Sequence, residues 1–145
     1  MLEYSCRVAD WQTESRPLCT IRRKVFIEEQ AVPENLEWDA YDDVAVHFVV
    51  LYGDTPVGTG RLKPDGQLGR MAIMPMHRGS GAGGLLLQSI IDYYCSRGGE
   101  RLYCHAQSRV TGFYERYGFH CEGEEFMDAG IPHRAMSRNC ATTQA

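Results

Sequence analysis

The sequence predicts an α/β fold with a mixed, mostly antiparallel central sheet of about six to seven strands and about four helices, parted between two parallel central strands. Three observations carry this expectation. Val44 to Tyr52, Pro56 to Leu62 and Leu68 to Met74 are apolar runs joined by tight turns at Gly53-Asp54 and Asp65-Gly66, the pattern of an antiparallel meander. Met71 to Leu87 then passes from a short apolar run through a glycine-rich turn into an amphipathic helix. The strand Leu102 to Ala106 follows that helix by a crossover, so it should lie parallel to the strand before the turn. With 145 residues and 43% hydrophobic content the chain can bury one good core, and a single domain over residues 1–145 is expected.

In chain order, Leu2 to Ala9 alternates weakly and reads as the first strand, followed by a polar turn from Asp10 to Arg16. A first helix is expected from Pro17, a residue suited to a helix start, through Ile21, Val25 and Phe26 to Gln30. Ala31-Val32-Pro33 ends it, and Glu34 to Tyr41 reads as a short second helix with Leu36 and Trp38 facing inward. The helix after the glycine-rich turn should bury Leu86, Leu87, Ile90, Ile91 and Tyr94 and stop at Arg97-Gly98-Gly99. Arg109 to Tyr117 is the last expected helix. Gly118-Phe119 then turns the chain into two closing strands around Cys121–Met127 and Arg134–Arg138.

Composition excludes several classes of function. The net charge of −4 and the lack of a basic stripe argue against nucleic acid as a partner. The apolar runs fall far short of the ~20 residues of a membrane span, and the N-terminus lacks a secretory pattern, so a cytoplasmic location is expected. The six cysteines show no C-x-x-C pair and no zinc-like spacing, so no metal site is expected and the thiols read as reduced and mostly buried. Charge is unevenly distributed. Eight acids and no Lys or Arg occupy Val25 to Gly60, a stretch that could suit a cation, whereas basic residues predominate from Arg61 to Arg116.

The glycine-rich turn carries the chemistry. Glycines let backbone N–H groups converge without Cβ interference, and the helix that follows adds unpaired donors and a positive dipole end. Arg78 can pair with a phosphate oxygen bidentately, and no acid lies between Gly66 and Ile91. The absence of a lysine rejects a P-loop. Gly79 to Gly84 fits G-x-G-x-x-G, yet the next strand ends in Cys104-His105-Ala106 and not in a ribose-binding acid, which rejects a dinucleotide site.

What remains is R-x-x-G-x-G at Arg78, Gly81 and Gly83, and here the chain resembles the GCN5-related N-acetyltransferases. Ala106-Gln107 followed by Phe113-Tyr114-Glu115-Arg116-Tyr117-Gly118-Phe119 resembles that family's later motif. Val25 to Pro33 and Gly130-Ile131-Pro132-His133 are similar to the ElaA-like branch of small bacterial acetyltransferases. The resemblance implies acetyl-CoA as donor, an amine as acceptor, and direct attack in a ternary complex. It places Arg78, Gly79, Ser80, Gly81, Ala82 and Gly83 on the donor's diphosphate and backbone groups of Ala72 and Ile73 along its pantetheine arm. Gln107 stands where many relatives carry an asparagine toward CoA. Tyr114 corresponds to the tyrosine that protonates the departing thiolate, a role open to a phenol of pKa about 10. The base that takes the amine's proton has four candidates, Glu28, Glu29, His105 and His133, with His133 and Glu29 foremost. The same resemblance admits a non-catalytic acyl-CoA sensor as the alternative, and dimers are common in the family.

Overall fold

The computed structural model describes residues 2–141. Strands β1 (Tyr4–Ala9), β2 (Val46–Tyr52), β3 (Thr55–Leu62) and β4 (Leu68–Ile73) form an antiparallel sheet in the order β1-β2-β3-β4, and β5 (Arg101–Gln107), β6 (His120–Asp128) and β7 (Ile131–Asn139) form a second in the order β5-β7-β6. The two are joined by a parallel bridge from Gln67 to Tyr103, where the Tyr103 amide donates to the Gly66 carbonyl at 3.1 Å. Beyond that bridge β4 and β5 part, which is the expected split between parallel central strands. A bulge in β4 accompanies it. The β3–β4 register slips between Thr59 and Arg61, and Arg70 takes a left-handed φ of 48°.

Helix α3 (Ala82–Ser96) lies across the split sheet and buries Leu86, Leu87, Ile90 and Ile91, packed with Phe48, Val50, Leu68, Leu102 and Met136. At about 25 cal/mol per Å² of apolar surface, such burial is the main favourable term in the fold. The expected stripe holds, except that Tyr94 is only half-buried.

The first helix departs from expectation. α1 (Trp11–Arg22) starts well before Pro17, because the Asp10 side chain accepts the Gln12 amide at 3.0 Å and the Glu14 carboxylate accepts the Asp10 amide at 2.8 Å. Pro17 lies inside the helix, where it leaves a carbonyl one turn earlier without its usual partner. From Arg23 to Glu29 the helix widens to a π-helix, closed by the Gln30 amide donating to the Val25 carbonyl at 3.1 Å.

The second helix is also shorter than expected. α2 (Glu34–Glu37) gives way to a 3-10 turn at Ala40–Asp43. Leu36 is exposed, and the residue that faces inward beside the half-buried Trp38 is Glu37. α4 (Thr111–Glu115) is likewise a short piece after a 3-10 turn at Ser108–Val110.

Glu37 points inward because arginines await it. Arg22 is 1% exposed and donates to the Glu37 carboxylate at 2.7 Å, to Asp42 at 2.8 Å and to the Glu37 carbonyl at 2.9 Å. Arg61 binds Asp39 at 2.7 Å and Asp42 at 3.0 Å, and the bulge turns Arg70 onto the same group, 3.2 Å from Asp39. This buried network holds residues 37–42 against α1, β3 and β4. The thiol expectation is corrected as well: Cys95 and Cys140 form a disulfide with Cα atoms 5.4 Å apart, tying the end of α3 to the end of β7. Cys104 is buried, while Cys6, Cys19 and Cys121 are partly exposed.

Candidate active site

The glycine-rich turn runs from the end of β4 to the start of α3. Gly79 and Gly81 have φ of 74° and 92°, a left-handed conformation that residues with a Cβ rarely adopt. Gly81 caps α3 and supplies no side-chain acceptor; the Ala82 amide makes a long 3.4 Å contact to Ser80 Oγ, and this turn stands at the positive end of a four-turn helix. Ser80 Oγ donates to the His77 carbonyl at 2.5 Å and stiffens the turn. His77 shares a 2.8 Å hydrogen bond with Tyr4 Oη, which anchors the turn to β1. A Cβ at Gly84 would meet Tyr117 Oη, so the glycine makes room for that side chain against α3.

Arg78 is folded back at the entrance. Its Nη atoms donate to both carboxylate oxygens of Glu29 at 2.6 and 2.7 Å, and its Nε donates to the Ile73 carbonyl at 2.9 Å. The Arg78 bonds hold the Glu29 carboxyl below the usual carboxylate range. The turn is acid-free in sequence, but the π-helix brings an acid to it. The next residue, Gln30, reaches the other half of the split: Gln107 Nε2 donates to Gln30 Oε1 at 2.8 Å.

Tyr114 projects from α4 toward β4, with Oη 3.6 Å from Met71 Sδ. Burial pushes its phenol well above the ordinary tyrosine value, so it stays protonated at neutral pH. Ala72 is buried beneath Ile21 and Val25, and its neighbour Ile73 is half-buried at the β4 terminus. Burial pushes the nearby Cys104 thiol up to about 12, which leaves it a poor nucleophile.

His133 pairs with Gln107 in the β5–β7 register, on the face of the second sheet away from the buried Leu102, Cys104 and Ala106. Its Nδ1 lies 2.7 Å from the Ile131 carbonyl. A carbonyl only accepts, so Nδ1 carries the proton, and Nε2 of the neutral ring keeps its lone pair. The ring stacks on Phe126 with centroids 6.0 Å apart, and His105 meets Phe126 edge-on at 5.3 Å.

Two groups of residues thus converge. Glu29, Arg78 and the glycine turn gather on the β4 side, and Gln30, Gln107 and His133 on the β5 side, with Tyr114 reaching β4 from α4. Sequence reasoning did not single out Gln30 or the charged network. Gln30 adjoins Glu29 in the Phe-Ile-Glu-Glu-Gln stretch, which is the one signal that could have found it. The acid-rich stretch is less free than its composition suggested: Glu29, Glu34, Glu37, Asp39 and Asp42 are all paired with arginines. Among the described residues, no three His, Cys, Asp or Glu side chains gather in a metal-binding arrangement, and no helix is long and apolar enough to cross a membrane.

A split mixed sheet with a glycine-led helix starting where its central strands part defines the α/β class of this fold. Comparison with known proteins makes the assignment specific. Residues 10–140 match the acetyltransferase (GNAT) domain family. The N-acetyltransferase YjcF of Bacillus subtilis, itself uncharacterised, is 34% identical over 123 residues, covering 82% of this chain and 88% of that protein. An acyl-CoA N-acyltransferase from Pseudomonas aeruginosa has a similar structure, with TM-score 0.82 and 26% identity over 95% of this chain and 99% of that one. Escherichia coli ElaA shares the fold at TM-score 0.82 and 23% identity, with coverage of 95% and 99%. The chain belongs to the GNAT acetyltransferase family, whose members use acyl-CoA donors.

Proposed function

We propose that this chain is a single-domain N-acetyltransferase that moves acetyl from acetyl-CoA to a primary amine by direct attack within a ternary complex. The observation that carries the reading is the Tyr114 phenol, held protonated by burial and set against Met71 of β4 where β4 and β5 part. In the proposed complex the glycine turn and the first-turn amides of α3 hold the diphosphate, while Ala72 and Ile73 meet the pantetheine arm in strand fashion. Gln107 adds a polar contact. An N–H of the β4 terminus stabilises the tetrahedral oxyanion, and Tyr114 gives its proton to the departing thiolate.

An alkylammonium must lose a proton before it attacks. Of the two foremost candidates His133 fits better, because its Nε2 carries a free lone pair, whereas both oxygens of Glu29 are bound by Arg78. Phe126 and His105 extend the His133 surface and would face the acceptor. Since most acids of residues 28–43 are already paired, Glu28 and Asp43 remain as the charges that could draw a cationic amine.

The test is thermal unfolding with acetyl-CoA, CoA, NADH and ATP, each at saturation. A ligand at about 100 times its Kd adds roughly 2.7 kcal/mol, or on the order of 5–10 °C for a domain of this size. A shift with acetyl-CoA and CoA alone is expected; a shift with NADH alone would overturn the reading.

A further inference from the structure

The mouth of the split holds a carboxylate where an anionic ligand would be expected. Glu29 presents both oxygens to Arg78 in the fork geometry that guanidinium offers to carboxylate and phosphate alike. The third donor of Arg78 is spent on the Ile73 carbonyl, so the side chain lies over the end of β4, along the edge a strand-like ligand would use. On the other side of the split stands Arg109, in the 3-10 turn after β5. Gln107, two residues before it, donates to Gln30, the neighbour of Glu29, at 2.8 Å, which brings the start of this turn close to the end of the π-helix. The Arg109 side chain is exposed and, among the described residues, makes no hydrogen bond or ion pair, and its charge helps to lower the Glu29 carboxyl. One acid thus pairs with a guanidinium on the β4 side, while an unpaired arginine stands in the turn that follows β5.

We propose that Glu29 is a placeholder in the diphosphate seat, and that Arg109 is a second phosphate-binding residue which closes on the donor from the β5 side once the donor has displaced Glu29 from Arg78. The inference rests on the donor reading above and deepens it. Binding becomes an exchange of anions: the phosphates take Arg78, the Ile73 carbonyl is freed for the arm of the donor, and the Glu29 carboxylate swings out on the end of the π-helix. Because Gln30 is bonded to Gln107, that movement also reaches the acceptor side. The exchange assigns Glu29 to donor entry and leaves proton abstraction to His133.

Calorimetric titration of CoA into the wild-type chain and the Glu29→Gln and Arg109→Ala variants tests this. Both sites are on the surface, so neither change threatens folding. Glu29→Gln should bind CoA about fivefold more tightly, since the competing charge is gone, and Arg109→Ala about tenfold more weakly. Inorganic pyrophosphate should compete with CoA better in Glu29→Gln and worse in Arg109→Ala, which localises both effects to the phosphates. Either variant matching the wild-type affinity overturns the inference, as does a Glu29→Gln chain that binds CoA as before and loses turnover, the behaviour of a general base. Failure of the wild-type chain to bind CoA at all would overturn the donor reading along with it.

Discussion

Tyr114 and His133 show how environment selects chemistry from ordinary side chains. A phenol already favours its protonated form at neutral pH, and burial strengthens that preference, so Tyr114 suits a proton donor and is unfit as a base. In His133 the backbone carbonyl two residues away accepts the Nδ1–H and so favours the tautomer whose lone pair lies on Nε2, a contact set by the β6–β7 turn. Tyr114→Phe is expected to slow acetyl transfer by about 10²–10⁴ while the chain still binds CoA. The product should be followed by mass spectrometry, because the partly exposed Cys6, Cys19 and Cys121 would confuse a thiol assay. A wild-type rate in Tyr114→Phe would remove its role. His133→Asn should lower turnover by a similar order, and an unaffected rate would send the base assignment elsewhere.

At the scale of elements, the charged network fixes residues 37–42 against α1, β3 and β4. Burial would raise the Glu37 carboxyl and does, despite the Arg22 bond, whereas at Asp42 the bonds to Arg22 and Arg61 outweigh burial and hold it below the usual range. Arg22 also lies 4.9 Å from the centre of the Trp38 ring. Arg22→Met would strand two buried carboxylates and should cost about 3–5 kcal/mol in urea unfolding, toward the lower end because Arg61 and Arg70 still reach them. A cost under about 1 kcal/mol would mean that the network does little for stability. The π-helix belongs to this scale too. It carries Glu29 to Arg78 and is followed by Gln30, which reaches Gln107, so a single stretch spans both banks of the split.

Across the whole molecule, these paired acids set the response to pH. Asp39, Asp42 and Glu29 all have folded-state values held below the ordinary range by arginines, so their contribution is present above the unfolded values and is lost as pH falls through the folded ones. Glu37 is raised and acts in the opposite sense: its contribution is present at low pH and fades as pH rises. The depressed carboxylates outnumber it, so the melting temperature should drop as pH falls below about 4. Scanning calorimetry at pH 7 and pH 3 checks this, and equal midpoints would contradict the ion-pair assignments.

Much of this was legible in the chain itself. Alternation and turn residues placed the meander, and 3.6-residue periodicity placed α3 and four of the five residues in its buried stripe, because both patterns are local consequences of backbone geometry. The glycine turn and the Phe-Tyr stretch announced the family, since close backbone approach and left-handed φ leave few residue choices. What only the tertiary structure decided depends on partners distant in sequence. The start of α1 rests on an Asp10 cap that a proline signal obscured, and Glu37 turns inward only because Arg22, Arg61 and Arg70 converge there. The bulge places its left-handed φ on Arg70 and not on the adjacent Gly69, so residue type does not betray it, and the Cys95–Cys140 bond joins residues 45 apart. Glu29 reaches an acid-free turn across 49 residues. Local conformational preference can be read from neighbours in the chain, whereas a charge finds its counter-charge only after the chain has folded around it.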